Sequence, residues 1–415
     1  MTKQTFMIVG AGLAGAKAAQ ELRERGFDGR VVLVGAEPEP PYERPPLSKD
    51  YLRGESEREK AHVHPAGFYE EQEIELETGS AVTAIDPGTS RVLLEDNREL
   101  AYDRLLLTTG AEPRRVPLPG AELDGIHYLR TFADADALRA RLRSGAGRVA
   151  VVGAGWIGSE VAASARQRGL EVTVIDPLAL PNERIFGTEV GSFYRDVHAE
   201  HVVEMLLGRG VEAFEGDGAV ARVRLSDGTQ VECDFAVVGV GVAPRAELAR
   251  DAGLEVENGI VVDEHLLTSV PNIYAAGDVA NAWHPFYGRR IRVEHWANAL
   301  NQGPAAARSM LGEDVSYERI PYFFSDQYDV GMEYSGYAES WDEVVLRGDP
   351  GAGEGFVAFW LRDGHVLAGM NVNVWDVNQH VQELIRARRP VDPRALADPG
   401  TPLDSLLSVS ELSER

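Results

Sequence analysis

The chain has 415 residues, a formal net charge of −25 and a hydrophobic content of 44%, values typical of a soluble globular protein with two or three domains. An acidic surface of this kind disfavours nucleic acids and anionic membranes as partners. No apolar run is long enough for a membrane-spanning helix. The N-terminal residues do not resemble a secretory signal, so we expect a cytoplasmic protein.

Cys233 is the single cysteine of the chain. One cysteine excludes an internal disulfide, a Cys-x-x-Cys redox pair and a cysteine zinc cluster, and we assign no metal ligands. Cys233 begins the run Cys233–Val238, which predicts a buried strand and an inert thiol.

The pattern Gly-x-Gly-x-x-Gly occurs twice, at residues 10–15 and 153–158. Each copy follows a short apolar run and opens a helix that a glycine ends. A second apolar run then leads to a carboxylate, Glu37 in the first copy and Asp176 in the second. This order predicts two related α/β units. The predicted elements are strands at 6–9 and 31–34 around a helix to about residue 25, and strands at 149–152 and 172–175 around a helix to about residue 168.

Each glycine of this pattern has a physical role. The first makes a tight turn, the second lets the backbone approach a pyrophosphate, and the third lets the helix pack on the strand. The pyrophosphate lies on the helix N-terminus, and the carboxylate accepts from ribose hydroxyls. Two copies indicate two dinucleotides. The residues assigned to the two sites are Gly10, Gly12, Ala14, Gly15 and Glu37, and Gly153, Gly155, Ile157, Gly158 and Asp176.

Asp176 favours NADH over NADPH, because a carboxylate at this place repels a 2′-phosphate. The following residues Pro177, Leu178 and Ala179 offer no arginine to receive that phosphate. Arg184, further along, either contacts the cofactor or is a cation of the loop.

Residues 83–100 alternate like antiparallel strands, with turns at 87–88 and 96–97. After residue 244 the pattern returns to α/β. From Pro321 the chain becomes aromatic and strand-like, with one helix at Asn378–Arg388. We expect the tail after Pro390 to be only loosely ordered.

Five further segments carry a family resemblance. The chain resembles the FAD-dependent ferredoxin reductases of bacterial oxygenase systems over residues 5 to 390. The segments that carry it are Pro41–Lys49 (PYERPPLSK), Thr108–Ala111 (TTGA), Tyr274–Asp278 (YAAGD), Glu294–Ala299 (EHWANA) and Phe324–Asp329 (FSDQYD).

The resemblance implies the α/β fold of glutathione reductase, with two Rossmann-like dinucleotide-binding domains and a C-terminal α+β domain. The implied FAD-binding domain is split between residues 1–112 and 244–320. The implied NAD-binding domain is 113–243, and the interface domain is 321–415. The implied cofactors are FAD at the first glycine-rich motif and NADH at the second.

The resemblance also implies roles for single residues. Lys49 lies near flavin N5, Asp278 holds the ribityl chain, and Trp296 approaches the isoalloxazine. Glu160, in the first turn of the second Rossmann helix, faces the nicotinamide and pairs with Lys49. Lys49, Glu160 and Trp296 are therefore the catalytic candidates. The other residues assigned to cofactor binding are Arg44, Val82, Thr109, Gly110, Arg130, Gly277, Glu294, His295 and, on the NADH side, Gly241.

Each main candidate also has a structural interpretation. Lys49 could be a solvated residue after a Ser48 cap, and Glu160 could complement the helix dipole. Trp296 could pack in a core or lid, and Asp278 could cap a helix.

No cysteine pair accompanies the flavin segment, which has Pro-Pro-Leu-Ser-Lys instead, so electrons must leave through the flavin edge. The resemblance implies hydride transfer from NADH to FAD, followed by single-electron transfer to an iron–sulfur ferredoxin that feeds a cytochrome P450 or a dioxygenase. Arg289, Arg290 and Arg292 form a local basic stretch. They belong either to a ferredoxin dock or to a strand with solvated or paired arginines.

Other functions stay open. The chain also resembles apoptosis-inducing factor, an NADH-sensing binding protein, although its acidic charge argues against DNA. A stand-alone NADH oxidase or monodehydroascorbate reductase is a third alternative. The sequence is compatible with a monomer or a homodimer.

Overall fold

A computed structural model describes residues 3–143 and 145–407. Within them the helices are α1 Leu13–Glu24, α2 Asp50–Arg53, α3 Phe68–Glu71, α4 Phe132–Leu142, α5 Trp156–Gln167, α6 Glu183–Glu200, α7 Glu247–Asp251, α8 Trp296–Met310, α9 Asn378–Ala387 and α10 Pro393–Ala397. Short 3-10 helices lie at Pro45–Ser48, Arg58–Ala61, Gly277–Val279, Pro350–Ala352 and Leu403–Leu407.

The strands follow the chain as β1 Thr5–Val9, β2 Arg30–Val34, β3 Ile74–Glu77, β4 Val82–Asp86, β5 Arg91–Leu94, β6 Glu99–Ala101, β7 Arg104–Leu107, β8 Ala111–Pro113, β9 Ile126–His127, β10 Arg148–Val152, β11 Glu171–Asp176, β12 Glu204–Leu207 and β13 Val211–Glu215. They continue as β14 Arg222–Leu225, β15 Gln230–Glu232, β16 Phe235–Val238, β17 Val242–Pro244, β18 Ile260–Val262, β19 Ile273–Ala275, β20 Ala280–His284, β21 Arg289–Ile291, β22 Tyr322–Gln327, β23 Val330–Gly336, β24 Glu343–Arg347, β25 Phe356–Arg362 and β26 His365–Val372.

The described chain packs into two compact units. Unit 1 comprises the residues up to Pro45, Glu57–Glu112 and Val242–Arg319. Unit 2 comprises Pro46–Ser56, Pro113–Gly241 and the residues from Ile320 onward. The segment Pro46–Ser56 therefore packs apart from its neighbours in sequence. The three domain boundaries expected from the sequence stay a prediction.

Unit 1 is built on a parallel sheet in the order β19-β7-β1-β2-β3. The inner strands β7, β1 and β2 are mostly buried apolar runs, as strands covered on both faces require, whereas the edge strand β3 carries Glu75 and Glu77. The chain leaves β1 for β2 on one side and reaches β7 on the other, so the strand order reverses at β1. In sheets of this kind, ligands bind at the carboxyl end of the strand where the order reverses.

Helices α1 and α8 pack closely in the same unit. A Cβ at Gly303 would lie only 2.2 Å from the Ala14 carbonyl oxygen, so the approach of the two backbones requires glycine there. The alanine-rich composition of α1 serves this contact. The antiparallel strands β4, β5 and β6 lie where the alternation predicted them.

Unit 2 repeats the architecture with a parallel sheet in the order β12-β11-β10-β16-β9. Here the order reverses at β10, which leads into the second glycine-rich motif. Cys233 precedes β16 and is buried, and burial raises the pKa of its thiol to about 11. Such a thiol stays protonated and unreactive at neutral pH, as the sequence predicts.

The C-terminal part of unit 2 is an antiparallel sheet in the order β22-β23-β26-β25-β24. Helix α9 lies within the predicted range and buries Val381, Leu384 and Ile385 at helical spacing. A Cβ at Gly369 of β26 would lie 2.6 Å from a Val381 methyl group, so helix and strand approach closely. The expected α+β character is confirmed.

The expectation of a loosely ordered tail after Pro390 is wrong up to residue 407. Asp392 caps α10 by accepting a hydrogen bond from the Arg394 amide, and Leu396 is completely buried. The Arg347 guanidinium donates to four backbone carbonyls of the tail, those of Leu396, Asp398, Pro399 and Thr401. One guanidinium with five N–H donors can bind several carbonyls in this way, which composition alone does not reveal.

Candidate functional site

The first glycine-rich loop has a distinct steric reason for each glycine. Gly10 has φ +118°, and a Cβ there would lie 2.2 Å from the Thr108 carbonyl oxygen. A Cβ on Gly15 would lie 2.2 Å from the Gly10 carbonyl oxygen, whereas one on Gly12 would meet no described atom within 4 Å. The space over Gly12 is therefore open to a ligand, while Gly10 and Gly15 are needed for the turn and for packing.

This loop ends at an anion-binding helix terminus. Gly12 is the N-cap of α1, and no described side chain caps the helix. The first amide groups of a helix need partners, and the helix dipole favours a negative one. A pyrophosphate supplies both.

Beyond β2, Glu37 belongs to a polar group with Tyr42 and Arg44. The Arg44 guanidinium lies 3.0 Å from one carboxylate oxygen of Glu37, and the Tyr42 hydroxyl donates to the other. Arg44 also interacts electrostatically with Asp278. The structure thus brings three residues of the predicted FAD set, Glu37, Arg44 and Asp278, to one place in unit 1.

The start of α8 lies in the same neighbourhood. His295 is the N-cap of α8, and burial lowers its pKa to about 4, with Asp278 opposing the shift. Trp296 is the first residue of the helix, and its side chain forms a hydrogen bond with Glu43. Burial raises the pKa of Glu43, and this hydrogen bond opposes the rise. A neutral His295 and an indole are suited to contact an uncharged ring system.

Two backbone turns complete the predicted FAD set. The Gly277 amide donates to the buried Gln302 side chain at 2.9 Å, and the Thr109 hydroxyl donates to the Arg245 carbonyl at 2.6 Å. Gly110 has φ +72°, a value that favours glycine.

Two residues of that set serve packing. Ala14 is 6% exposed and lies against Gly277 and Gly303. Val82 pairs with Leu94 and packs against the core of unit 1.

The basic stretch is only partly available for docking. Arg292 is 8% exposed, pairs with Glu294 and donates to the Asp278 carbonyl. The charge of Arg292 is thus paired within unit 1, and its role in a ferredoxin dock stays a prediction. Arg289 and Arg290 lie on β21, where the exposed Arg290 also donates to the Val262 carbonyl.

The second glycine-rich loop repeats the steric pattern. Gly153 has φ +105°, and a Cβ on Gly158 would lie 1.9 Å from the Gly153 carbonyl oxygen. A Cβ on Gly155 would meet only an Asn182 oxygen, at 4.0 Å. Ile157 and Val240 are exposed apolar residues at this end of the sheet, at 41% and 38%. Exposed apolar side chains beside an open phosphate cradle suit a stacked base or nicotinamide.

Asp176 is held beside this loop by two backbone amides. One carboxylate oxygen accepts from the Ala154 amide at 2.7 Å and the other from the Leu178 amide at 2.8 Å. The negative charge is therefore fixed at the carboxyl end of β11. Gly241, with φ +96°, accepts a hydrogen bond from the Arg114 amide in the same unit.

Arg184 and Arg130 lie at helix N-termini of unit 2. Arg184 is exposed at the start of α6. Arg130 precedes α4, and its amide donates to Asp134, the residue that forms the capping box with Thr131. The structure does not assign a ligand to either arginine.

Lys49 and Glu160 form a buried ion pair within unit 2. The Lys49 ammonium lies 2.9 Å from a Glu160 carboxylate oxygen, and the two side chains are 12% and 5% exposed. The Ser325 hydroxyl donates to the same oxygen at 2.7 Å, and the Ser48 hydroxyl donates to the other oxygen. Lys49 also lies over the Phe324 ring, 5.6 Å from its centroid. The expected Lys49–Glu160 pairing is confirmed.

Glu160 is the fifth residue of α5, so the expectation that it lies in the first helical turn is wrong. A dipole interaction falls off within that turn. The structural alternative for Glu160 is therefore not supported, since its partners are Lys49 and two hydroxyls. The Ser164 hydroxyl, one turn further on, donates to the Ser48 carbonyl at 2.6 Å, which fastens the segment Pro46–Ser56 to α5.

The acidic environment of the pair includes Asp326. Burial raises the pKa of Asp326, the positive charges of Lys49 and Arg53 lower it, and Glu160 raises it. Lys49 is thus shared between two carboxyl groups, and the structural alternative of a solvated lysine is not supported.

Sequence reasoning missed several residues of these sites. The Thr108 carbonyl oxygen lies so close to Gly10 that a Cβ there would clash with it. The Thr108 hydroxyl donates a hydrogen bond to the Gly10 carbonyl at 2.7 Å. Gln302 and Val240 carried no local signal, because a buried polar residue or an exposed apolar one is defined by its surroundings. Ser325 lay inside the segment Phe324–Asp329 but had no role assigned to it. Thr108 and Ser48 lay inside quoted segments, yet their hydrogen bonds are long-range in sequence.

The residues of both loops fit the dinucleotides expected of them. The open space at Gly12 and Gly155, the uncapped helix N-termini and the nearby acids match a pyrophosphate and a ribose. None of the described helices is long and apolar enough to span a bilayer.

Comparison with known proteins defines the class. The family of pyridine nucleotide-disulphide oxidoreductases matches residues 4–303, and the reductase C-terminal domain matches residues 322–407. The chain therefore belongs to the pyridine nucleotide-disulphide oxidoreductase family and is an oxidoreductase whose cofactors are FAD and NAD(H). The resemblance to bacterial ferredoxin reductases and the glutathione-reductase-like fold are confirmed.

The similar proteins match along their whole length. The ferredoxin–NAD(+) reductase component of the anthranilate 1,2-dioxygenase system of Burkholderia cepacia is 42% identical, covering 98% of this chain and 100% of that protein. Putidaredoxin reductase of Pseudomonas putida is 38% identical, covering 98% and 97%. The solved covalent complex of putidaredoxin reductase with putidaredoxin has a TM-score of 0.94 at 38% identity, covering 99% and 100%.

We predict different outcomes for alanine at two glycines of the first loop. In Gly15→Ala the new Cβ would lie 2.2 Å from the Gly10 carbonyl oxygen, so the backbone must shift. The free energy of unfolding should fall by about 1–3 kcal/mol. Gly12→Ala should leave the apoprotein's thermal stability unchanged but reduce bound FAD, because its methyl group occupies the ligand's space. Flavin absorbance per chain and apoprotein melting temperature measure both effects.

Gly210→Ala is the matched control, since its Cβ would meet only the Ser226 hydroxyl, at 3.9 Å. Full flavin occupancy in Gly12→Ala would contradict the assignment of this loop.

We predict strong coupling between Lys49 and Glu160. Glu160→Leu leaves a buried ammonium without its partner, which should cost about 3–5 kcal/mol of stability. Lys49→Met should be destabilising for the same reason, and the double variant should recover much of the loss. Chemical denaturation of the four proteins gives the coupling energy.

The exposed pair Arg195–Asp196, with side chains 43% and 58% exposed, serves as the control and should couple by less than about 1 kcal/mol. Equal coupling energies in the two cycles would contradict the prediction that burial strengthens the interaction between Lys49 and Glu160.

Proposed function

We propose that the chain is an NADH-dependent ferredoxin reductase that delivers electrons singly to an iron–sulfur ferredoxin serving a cytochrome P450 or a dioxygenase. The observation that carries this proposal is the combination of two dinucleotide loops with a segment Pro46–Ser56 that holds Lys49 against Glu160 and contains no thiol. The single cysteine, Cys233, is buried and unreactive. Electrons therefore leave to a separate protein.

The chain's own residues bind, orient and set charge. FAD, when bound, supplies the conversion of a two-electron hydride donor into single-electron transfers. Gly10, Gly12 and Gly15, with Glu37 and Asp278, would hold it. The loop at Gly153 with Asp176 would hold NADH. Lys49 and Glu160 act as electrostatic and positioning groups, because hydride transfer needs close alignment more than an acid or base.

The preference for NADH follows from Asp176. Its carboxylate is bound by two amides and cannot turn away, so a 2′-phosphate would meet a fixed negative charge. One relative named above is the ferredoxin reductase component of a dioxygenase system, and another is putidaredoxin reductase, which was also solved in complex with putidaredoxin. These names support a ferredoxin as the acceptor here.

We predict fast reduction of the purified yellow protein by NADH and at least about tenfold lower kcat/KM with NADPH. Stopped-flow absorbance measures the reduction. Cytochrome c reduction with and without a panel of iron–sulfur ferredoxins then measures carrier-dependent turnover, which should need the carrier.

Three results would contradict this function in different ways. A colourless protein without flavin would remove its basis. A long-lived complex with NADH and negligible ferredoxin turnover would indicate a sensing protein like apoptosis-inducing factor. Oxygen consumption without a carrier would indicate an NADH oxidase.

We further propose that Arg289 and Arg290 contribute to docking of an acidic ferredoxin. Both lie on β21, and Arg290 is exposed. In a chain with net charge −25, an acidic partner needs a local patch of positive charge, which mainly raises the association rate.

Arg289→Glu/Arg290→Glu should raise the KM for ferredoxin about tenfold at low salt and weaken its salt dependence. NADH-driven reduction of a small dye should stay unchanged. Arg195→Glu/Arg386→Glu makes the same change in net charge elsewhere and should have little effect. If dye reduction fell together with ferredoxin turnover, the docking role would be wrong.

A further inference from the structure

Strand β22 places polar side chains where a strand usually buries apolar ones. Phe323, Ser325 and Gln327 share the buried face of this strand, and the two polar residues are 2% and 1% exposed. Burying polar groups is unfavourable unless they are hydrogen-bonded. Their partners therefore explain why these residues are there.

The partners form one continuous chain within unit 2. The Gln327 amide nitrogen lies 3.4 Å from the Ser325 hydroxyl, and the Gln327 carbonyl lies 3.0 Å from Nε2 of His198 on α6. Nδ1 of His198 lies 3.2 Å from the Tyr328 hydroxyl. At the other end, the Ser325 hydroxyl donates to the Glu160 carboxylate at 2.7 Å.

The direction of every hydrogen bond follows from the carboxylate. An ionised carboxylate only accepts, so Ser325 must donate to Glu160 and accept from the Gln327 amide. The Gln327 carbonyl then faces His198, whose Nε2 must carry the proton. Nδ1 of His198 is left to accept from the Tyr328 hydroxyl. The charge of Glu160 thereby sets the tautomer of His198, which lies three hydrogen bonds away along the chain.

His198 is suited to a fixed role in this chain. The residue is completely buried, and burial lowers the pKa of its imidazole to about 4, although the bond to Gln327 opposes the shift. The imidazole is therefore neutral at physiological pH. A neutral ring keeps one donor and one acceptor, which the chain requires.

We propose that Ser325, Gln327 and His198 are positioning residues that hold the Glu160 carboxylate in one orientation and, through it, the Lys49 ammonium. The oxygen that accepts from Ser325 is also the one 2.9 Å from Lys49. Removing the Ser325 hydroxyl leaves that oxygen with one donor, so the carboxylate and the ammonium gain freedom. The consequence for hydride transfer rests on the proposed function, whereas the hydrogen-bonded chain does not.

A spectroscopic experiment tests the chain without depending on activity. The holoprotein is labelled with 15N-histidine, and His198→Gln assigns the His198 signals. The wild type should show a neutral imidazole protonated at Nε2, with a slowly exchanging proton between pH 5.5 and 8. In Ser325→Ala the second tautomer should appear or the exchange of this proton should accelerate at least about fivefold, and Ser325→Thr should restore the wild-type signal.

The kinetic arm uses the same proteins. Reduction by NADH should slow about five- to tenfold in Ser325→Ala, while the Kd for NADH changes by less than about twofold. Ser325→Thr should recover the rate. Ser335→Ala is the matched control, because Ser335 lies on the same sheet and is similarly buried, at 1% exposed, but donates to Asn378, outside the hydrogen-bonded chain.

The outcomes separate the two proposals. An Nδ1-protonated or rapidly exchanging His198 in the wild type, or identical His198 signals in Ser325→Ala, would overturn the positioning chain whatever the activity. Equal slowing in Ser325→Ala and Ser335→Ala would overturn it too, since that pattern indicates general loosening. If the wild type did not oxidise NADH, the proposed function would fail and the spectroscopic arm would decide the chain alone.

Discussion

A buried carboxylate governs the organisation of unit 2. Glu160 is 5% exposed, and an ionised group so little hydrated must have its oxygens partnered by donors. The donors come from two distant parts of the sequence: Ser48 and Lys49 from the segment Pro46–Ser56, and Ser325 from β22. One charge therefore ties a loop, a Rossmann helix and a C-terminal strand together, and it does so where the chemistry of the protein is expected.

The two glycine-rich loops obey a second constraint, that of close backbone approach. In each loop, neighbouring protein atoms leave no room for a side chain at the first and third glycines, whereas the middle glycine faces open space. The same division in both copies shows that the repeat in the sequence is also a repeat in local structure. The sites differ in their acids: Glu37 is bound by side chains, whereas Asp176 is bound by backbone amides. The fixed negative charge at Asp176 is the basis of the proposed preference for NADH.

The segment Pro46–Ser56 contains no thiol. Members of the same broad family are named for disulphide chemistry, but this chain has one cysteine, which is buried just before strand β16. In the segment Pro46–Ser56, Ser48 and Lys49 instead bind the Glu160 carboxylate. The segment thus carries a buried ion pair and no thiol, and the proposed transfer of electrons to a separate protein rests on this combination.

Local sequence determined the strands, the paired glycine loops, the acids that follow them and the fold class, because these depend on periodicity and on residues close in the chain. It also led to Lys49 and Glu160 through resemblance. Only the tertiary structure shows that Arg292 forms an ion pair with Glu294 and that two serines donate hydrogen bonds to Glu160. Only the tertiary structure shows, too, that Arg347 orders the tail up to residue 407. The physical reason is common to all three. Burial and hydrogen-bond partners are properties of residues brought together from distant parts of the chain, and neither composition nor spacing records which donor meets which acceptor.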